Sequence, residues 1–349
     1  MTESSQDPTT AEAARGAFDA LNRAGRNLPI LDSAFFDICL KHFGSGRERW
    51  VMTGPSERPT GAALLRKIGL KRWETFQPSQ APLGSWVCAP DADLASVCKS
   101  LARTVPDGAA FLGLTQVDPT VIPRPAESGY FRTLDYIRTG RFRIEHGFDE
   151  YWQRRGSNLR QNMRKQRNRL DKEGRRVELR MLRTPEEMPS AIAAYAELEG
   201  KGWKTSTGTA VAPGNTQHHF YEDLFRAYAA RGEALVLQFL IDGRAVASDL
   251  CLLRNRELII LKTTYDEAES KLSPALLMRV EALPQLTAGN QPLAVEFYGP
   301  MMDWHTKWSD EARTLYHANF AASSLIHWAQ GAAARVRALL SNTGRSSAS

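Results

Sequence analysis

Residues 257–283 read Glu-Leu-Ile-Ile-Leu-Lys-Thr-Thr-Tyr-Asp-Glu-Ala-Glu-Ser-Lys-Leu-Ser-Pro-Ala-Leu-Leu-Met-Arg-Val-Glu-Ala-Leu. The apolar run Leu258–Leu261 is typical of a buried strand. Ser273 and Pro274 then predict a helix start, because Ser can accept a hydrogen bond from a free amide and Pro leaves no amide unpaired. A strand, a loop and a capped helix together point main-chain amides toward an anion, so the segment is a candidate phosphate site, although most such turns in α/β proteins bind no ligand. The predicted buried face of the helix consists of Leu276, Leu277, Val280 and Leu283.

The composition is that of a folded chain with more than one domain. A chain of 349 residues exceeds what one hydrophobic core usually organises, so we expect two domains. A hydrophobic content of 42% with 24% charged residues excludes wholesale disorder. No apolar run approaches the ~20 residues of a membrane-spanning helix, and the polar start Met1–Asp7 lacks the features of a signal peptide. We therefore expect a cytoplasmic protein.

The cysteines and histidines do not predict a metal site. The cysteines are scattered without a Cys-x-x-Cys pair, which argues against both a disulfide framework and structural zinc. His218 and His219 are neighbours on a predicted helix, where adjacent side chains diverge, so we predict no shared metal. The four cysteines, interpreted as small buried hydrophobic residues, are Cys39, Cys88, Cys98 and Cys251.

The positive charge is concentrated in one segment. The chain has a net charge of +6, and residues 154–176 contain ten basic residues against two acids. Subtracting the +8 of this segment from the net +6 leaves −2 for the rest of the chain. The excess is therefore a local patch rather than a property of the whole surface.

The first part of the chain predicts a mixed domain over residues 28–146. Residues 1–27 are polar and rich in Ser, Thr and Ala, so we predict that they are disordered or loosely helical. No catalytic constellation is recognisable in this part. The predicted elements are a helix from Asp32 or Ser33 to near Gly44, strands over 49–53, 62–65 and 109–114, a helix over 91–101, and a hairpin with strands over 130–137 and 141–144 around Thr139-Gly140.

A second predicted domain covers residues 147–340 and leaves a Ser-rich flexible tail over 341–349. Its first long helix begins at Ser157, carries most of the basic residues and ends near Gly174. The remaining predicted elements are a strand over 177–182, helices over 185–199 and 217–230, strands over 234–241, 245–253 and 258–265, a helix from Pro274, and strands over 293–298 and 315–320.

This order of elements resembles the GNAT acetyltransferase fold, and four segments resemble its cellulose-biosynthesis (CelD-like) branch. The resemblance covers about 150–320 and implies an α/β (α+β) fold of tandem GNAT-like domains, each a mixed, mostly antiparallel sheet flanked by helices, with a degenerate first half. One departure is Ala275, where the branch usually has Gly, a residue that takes a positive φ more readily. The four segments are Glu199–Lys204 with Gly208–Ala210, Lys262–Glu267, Ser273–Leu277, and Glu296–Gly299 followed by Trp304–Trp308.

The resemblance implies that the protein is an acyltransferase that uses acetyl-CoA or another acyl-CoA as cosubstrate. The pyrophosphate would meet the helix start, and the pantetheine would lie beside the strand that ends at Tyr265. A strand amide near the thioester would stabilise the oxyanion of the transition state. Acyl transfer to an amine or a sugar-type acceptor, in polysaccharide biosynthesis, would follow. The implied cofactor-binding residues are Lys262, Thr263, Ser273, Pro274, Ala275, Leu276 and Leu277.

Four residues are candidates for the proton transfers. A carboxylate is needed near the attacking amine or hydroxyl, and Asp249 and Glu199 are the candidates, with Asp266 behind them. Asp249 lies in an apolar strand, where a charge is either solvated at an edge or functional. Glu199 ends a helix, where a solvated acid is common. Tyr265 is a candidate donor of a proton to the departing thiolate, although an aromatic residue at a strand end often serves only packing.

The acceptor groove is predicted from two aromatic and basic segments within the family-like motifs. Aromatic packing with solvated lysines explains the same residues equally well. The candidate acceptor-binding residues are Trp203, Lys204, Asp303, His305, Lys307 and Trp308.

Two alternatives to an acyl-CoA enzyme remain open. Lys and Arg that neutralise phosphates drive non-specific nucleic-acid binding, and the related Fem-type transferases take an amino acid from aminoacyl-tRNA. The basic helix is therefore consistent with a tRNA donor, but a solvated basic face, an anionic substrate or a membrane surface explains it as well. The other alternative is a non-catalytic accessory protein of polysaccharide assembly.

Overall fold

The computed structural model describes residues 8–201 and 210–322. The chain divides into two compact units: unit 1 comprises Met1–Phe36, Gly44–Tyr136 and Thr314–Ser349, and unit 2 comprises Asp37–Phe43 and Ile137–Arg313. The helices are α1 (Pro8–Ala24), α2 (Ser33–Phe43), α3 (Leu94–Thr104), α4 (Phe148–Gln153), α5 (Ser157–Lys172), α6 (Met188–Glu199), α7 (Thr216–Ala229) and α8 (Pro274–Leu286). The strands are β1 (Glu48–Thr53), β2 (Gly61–Gly69), β3 (Arg72–Thr75), β4 (Trp86–Cys88), β5 (Phe111–Val117), β6 (Phe131–Ile144), β7 (Val177–Leu182), β8 (Ala234–Ile241), β9 (Arg244–Arg254), β10 (Glu257–Tyr265), β11 (Leu293–Glu296) and β12 (Glu311–Ala321).

Unit 1 is a mixed sheet with α1 and α3 packed against it. Its strand order is β1-β2-β3-β5-β12, and β4 pairs with the first half of β2. The β3–β5 pair is parallel, and the other pairs are antiparallel. Because Tyr316–Ala321 of β12 pair with β5, the last strand belongs to unit 1 and not to the predicted 147–340 domain.

Helix α1 contradicts the predicted disorder of residues 8–24 and agrees with the helical alternative. Phe18 and Leu21 are buried, and the Phe18 ring meets the Trp50 ring edge-on at a centroid distance of 5.2 Å. The segment has few large apolar residues, but Ala11, Ala14 and Ala17 fall with these two side chains on one helical face. Their burial against β1 stabilises the helix, a contact that the composition alone does not reveal. Residues 1–7 and 341–349 lie outside the described part of the chain.

Unit 2 is a mixed sheet in the order β6-β11-β10-β9-β8-β7, in which β10 and β11 are parallel and the other pairs antiparallel. Helices α6 and α7 pack on one face. On the other face, α4, α5 and α8 share an apolar cluster with alternate strand residues such as Leu235, Leu237 and Phe239. We call these the α6 face and the α8 face. The confirmed fold class is thus mixed α/β, with sheets flanked by helices.

The predicted hairpin around Thr139-Gly140 is wrong, because both residues lie inside the continuous strand β6. A Cβ at Gly140 would lie 3.1 Å from Ser309 Oγ, and this hydroxyl donates to the Arg141 carbonyl. The glycine therefore permits a close side-chain approach, which is the other common reason for glycine within a strand. Sequence alone does not distinguish this use from a turn.

The remaining predicted strands and helices of unit 2 are confirmed to within a few residues. Leu159, Met163 and Leu170 form the buried stripe of α5, as the spacing predicted. Among the described residues, no helix is both long and apolar enough to cross a membrane.

Candidate active site

Strands β10 and β11 separate partway along their length. Their pairing covers only Glu257–Ile259 of β10, where Ile259 is opposite Glu296. Beyond this pair, β10 continues to Tyr265 along β9, whereas the Phe297 amide donates to the Gly140 carbonyl of β6. An irregularity between Ile260 and Lys262 leaves Leu261 unpaired with β9, and such bulges bend a strand. The result is a fork, in which β11 does not follow β10 beyond Ile259 within residues 8–201 and 210–322.

Helix α8 begins at this fork, but its amino-terminal cap differs from the prediction. Ser273 adopts a left-handed conformation with a φ of 52°, and its side chain forms no capping hydrogen bond. Its carbonyl accepts from the amides of Leu276 and Leu277 at 3.0 and 3.1 Å. Of the three amides predicted to bind the pyrophosphate, only the Ala275 amide has no hydrogen-bond partner in the described part of the chain. Because Ser273 takes the positive φ, Ala275 can be helical without Gly.

The acids between β10 and α8 form ion pairs with arginines. Asp266 caps a 3-10 helix over Glu267–Leu272 by accepting from the Ala268 amide. Arg244 lies 3.3 Å from Asp266 and 3.5 Å from Glu269, and Arg175 also contacts Glu269 at 3.2 Å. These ion pairs offset the negative charge beside the helix start.

On the α8 face, Asp249 is fully buried and forms a two-point ion pair with Arg279. The guanidinium donates from Nε to Oδ2 at 2.8 Å and from Nη2 to Oδ1 at 3.0 Å, and Nη2 also donates to Thr263 Oγ1 at 2.9 Å. Both carboxylate oxygens are thus engaged, and no edge exposes Asp249 to solvent. This geometry does not support the predicted general-base role. Arg279, which the sequence interpretation missed, is the partner that makes the buried charge tolerable.

Aromatic rings from the segment after β11 surround Arg279. Its guanidinium lies 4.7 Å from the Trp304 ring centre and 5.9 Å from that of Phe297. His305 is buried against Phe297, and its Nδ1 accepts from the Met302 amide, which leaves the proton of a neutral ring on Nε2. Burial and the Arg279 charge lower the pKa of His305 to about 4. His305 is therefore neutral at physiological pH.

On the α6 face, Glu199 is buried among donors. Its Oε1 accepts from the Tyr195 hydroxyl at 3.1 Å, and its Oε2 accepts from the Val211 amide at 2.7 Å. Lys262 Nζ lies 3.6 Å from Oε2. Glu199 is therefore not the solvated helix end that its position suggested. It joins α6, β10 and residue 211 just after the segment 202–209.

The predicted catalytic carboxylates lie on opposite faces of the sheet. Thr263 contacts α8 through Arg279, and its neighbour Lys262 contacts α6 through Glu199. Because successive strand residues point to opposite faces, Asp249 cannot reach the same bound atom as Glu199 by a side-chain rotation. The structure brings Glu199 and Lys262 together, and Asp249, Thr263 and His305 form a separate group around Arg279.

The other predicted residues divide between surface and core. Tyr265 is 42% exposed at the end of β10. Asp303 and Lys307 are exposed on the segment between β11 and β12. Trp308 is completely buried beside Trp152 and Phe142, so the prediction that it lines an open groove is wrong. Trp203 and Lys204 lie outside the described residues.

A buried carboxylate at the fork also escaped the sequence interpretation. Glu296 is inaccessible to solvent. Its Oε2 forms an ion pair with Arg313 Nη2 at 2.9 Å, and its Oε1 lies 3.6 Å from Arg141 Nε. Arg141 in turn lies 3.1 Å from Glu311. The signal in the sequence was an acid in the otherwise apolar run Leu293–Tyr298, as for Asp249.

No cluster of three or more His, Cys, Asp or Glu side chains suited to a metal occurs within residues 8–201 and 210–322. The His218 and His219 rings are stacked with centroids 5.6 Å apart, so the predicted divergence of these side chains is wrong.

Comparison with known proteins assigns the class of this domain. Residues 157–305 match the family model described as an acetyltransferase (GNAT) domain. The fork between β10 and β11 and the capped helix α8 both lie within the matched segment. Unit 2 therefore contains a GNAT-type domain, and the chain is an enzyme of the acyltransferase class. No significant match was found among curated proteins.

Solved structures share this fold at low sequence identity. The C-terminal domain of a proposed lysylphosphatidylglycerol synthetase from Agrobacterium fabrum is 14% identical, with a TM-score of 0.54 over 89% of this chain and 92% of that chain. L-PGS from Bacillus licheniformis is 13% identical, with a TM-score of 0.53 over 92% and 94%. FemX is 12% identical, with a TM-score of 0.54 over 87% and 95%. The similarity extends over both units, and at these identities it establishes the fold alone.

Proposed function

We propose that this enzyme transfers an acyl group, as in acetyl transfer, from acyl-CoA to an amine or hydroxyl acceptor. The observation that carries the proposal is the fork at Ile259 and Glu296, with the start of α8 beside it. An extended pantetheine can run along the β10 edge beyond Ile259, where β11 no longer pairs with it. The pyrophosphate then lies at the Ala275 amide, where the helix dipole favours negative charge.

In this proposal the acceptor atom forms a bond to the thioester carbonyl carbon and the carbon–sulfur bond breaks. The proton that the acceptor loses passes to solvent, and the CoA thiolate gains one, so the transfer releases no net proton. An amide of the β10 edge between Lys262 and Thr264 stabilises the oxyanion. Tyr265, exposed at the end of the same strand, is our candidate proton donor to the thiolate.

The buried carboxylates receive different roles from those that the sequence suggested. We propose that Asp249 is a positioning residue, which holds Arg279 and thereby α8 against β10. We propose that Glu199 orients Lys262 on the α6 face, toward the acceptor side of the fork. Trp203, Lys204, Asp303 and Lys307 remain proposed acceptor-binding residues. A saccharide acceptor, as the CelD-like resemblance implies, is to be tested by activity screening against amines and sugars.

Calorimetry with acetyl-CoA tests the donor. We expect binding to the wild type and a loss of about tenfold or more in Ala275→Asp, because the new carboxylate repels the pyrophosphate. The same carboxylate favours a helix start, so the variant should be at least as stable as the wild type. Gln285→Asp adds the same charge to an exposed site in the last turn of α8 and should bind normally. Absence of binding to the wild type, or equal binding to Ala275→Asp, would refute the proposal.

A second candidate is an aminoacyl-tRNA donor, which the outer face of α5 favours. Arg164, Lys165 and Lys172 lie on the helix face opposite the buried stripe, and none of them forms an ion pair with a described residue. The acids of this helix region are occupied, since Asp171 pairs with Arg167 and Glu173 with Arg169. FemX and L-PGS share the fold. Binding of tRNA that weakens steeply with salt, without binding of acetyl-CoA, would select this candidate.

A further inference from the structure

The turn between β2 and β3 exposes two aliphatic side chains at the end of unit 1. Gly69 and Arg72 are register partners, and Leu70 and Lys71 form the turn, with Lys71 at a φ of 51°. Leu70 is 90% exposed, and Ile68 is 46% exposed. We call residues 68–71 the hairpin tip. Leu70 is the most exposed large apolar side chain in the described part of the chain.

Basic residues surround the hairpin tip. Lys71 lies within it, and Arg72 follows directly with its guanidinium 5.7 Å from the Phe111 ring centre. The Lys67 amide donates to the Arg47 carbonyl, which places Arg47 beside the base of the tip. Neither Lys71 nor Arg47 forms an ion pair within residues 8–201 and 210–322.

The acids at this end of the sheet are fewer and already paired. Glu74 is paired with Arg66 at 2.6 Å, Asp107 lies 3.5 Å from Lys67, and Glu48 accepts from the amide and the hydroxyl of Ser45. The tip therefore combines exposed aliphatic groups with a surplus of positive charge.

A single exposed aliphatic residue needs no explanation, but this combination is specific. Leu134 is also exposed in unit 1, at 57%, yet Asp135 is its direct neighbour. At the hairpin tip the exposed apolar side chains lie next to Lys71 and Arg72, which are exposed as well. Lys and Arg can keep their charges in the headgroup layer while nearby aliphatic groups enter the acyl region. An anionic bilayer surface fits both features, whereas a neutral one fits only the aliphatic groups.

We propose that the hairpin tip inserts Ile68 and Leu70 into the interface of an anionic lipid membrane, with Lys71, Arg72 and Arg47 contacting the lipid phosphates. The proposal concerns a peripheral docking surface of unit 1. It is independent of the donor and of the acceptor of the acyl transfer.

Cosedimentation of the full chain with vesicles tests the proposal. We expect binding to vesicles of phosphatidylcholine and phosphatidylglycerol in equal amounts, and little binding to phosphatidylcholine alone. Leu70→Ser should weaken the binding about tenfold, because it removes the most exposed aliphatic side chain. Lys71→Gln should weaken it about fivefold. The matched controls are Leu134→Ser for the aliphatic change and Lys165→Gln with Lys172→Gln for the charge change, and both should bind as the wild type does.

Insertion has a second readout. Leu70→Cys labelled with an environment-sensitive fluorophore should shift to shorter wavelength on addition of the anionic vesicles, whereas Leu134→Cys should not. Equal binding of the wild type and Leu70→Ser, or loss of binding only in the Lys165 and Lys172 variant, would overturn the proposal. Sedimentation velocity without lipid should show the same mass for the wild type and Leu70→Ser. A dimer that dissociates in the variant would identify a second copy of the chain as the partner instead.

Discussion

Opposite charges are buried in an apolar layer at Asp249 and Arg279. Each charge offsets the cost of removing the other from water. Asp249 is inaccessible to solvent, and the Arg279 side chain is nearly so. Removing one member leaves a buried charge without its partner, which destabilises a protein more than the pair itself stabilises it. The pair therefore determines where α8 can lie on the sheet.

Asp249→Ala should lower the free energy of unfolding by about 3–5 kcal/mol, as measured by urea unfolding. Arg279→Ala should have a similar effect. The double variant should be more stable than the sum of the single effects predicts, because no buried charge remains. Asp303→Ala, at an exposed site, is the control and should be neutral within about 0.5 kcal/mol. Additive single effects would show that the two side chains are not coupled.

His305 should make stability depend on pH. Its pKa is about 4 in the folded protein and 6.5 in the unfolded chain, so the unfolded chain binds the proton at higher pH. The contribution of the neutral ring to stability is therefore complete above about pH 6.5 and is lost as the pH falls toward about 4. His305→Asn keeps an acceptor for the Met302 amide and removes the titration. The difference in unfolding free energy between wild type and variant should shrink over this range, and a constant difference would contradict the assignment.

At the residue scale, the sequence could mark isolated charges but not their partners. Asp249 stood out as an acid in an apolar strand, whereas Glu296 and Arg279 were missed although each is a charge in a largely apolar run. Pairing Asp249 with Arg279 also requires the register of β9 on β10 and the rotation of α8. Neither is a local property of the chain.

At the element scale, the strand, connection and helix of residues 257–283 could be predicted because periodicity and the preference for Pro at a helix start are local, although the predicted Ser273 cap was wrong. The fork could not, because it depends on where β11 stops pairing with β10. The bulge at Leu261 likewise reflects the register with β9. Gly140 was mistaken for a turn residue, since its reason is contact with Ser309, far away in sequence.

Glycine substitutions at Ser273 and Ala275 should change the free energy of unfolding in opposite directions, because only Ser273 of the two has a positive φ. Ser273 bears the positive φ, which is unfavourable by about 1 kcal/mol for a residue with a Cβ. Ser273→Gly should therefore leave the unfolding free energy unchanged or raise it by up to about 1 kcal/mol. Ala275→Gly should lower it by about 0.5–1 kcal/mol, because position 275 is helical. Chemical unfolding of both variants measures these changes, and the reverse order would place the left-handed residue at 275.

At the scale of the whole molecule, the number of units could be predicted from the chain length. Which segments of the chain form each unit could not. Helix α1 joins unit 1 through Phe18 and Leu21, and β12 returns to unit 1 after all of unit 2. Both depend on contacts between distant parts of the chain. The clustering of charge, in contrast, could be read directly, because α5 is a single continuous element.

The uneven charge should decide how the whole protein binds to a cation-exchange resin. The triple substitution of Arg164, Lys165 and Lys172 by Gln and a control triple of Arg58, Lys99 and Arg138 each remove three charges from the net +6. All six side chains are exposed, so neither set should disturb the core. At ~0.1 M salt, charges more than about 10 Å apart act nearly independently, so retention depends on the densest patch. The α5 triple should therefore elute at clearly lower salt than the control triple. Equal shifts would mean that net charge, and not the α5 face, controls the interaction with polyanions, and would remove the observation that favours a tRNA donor.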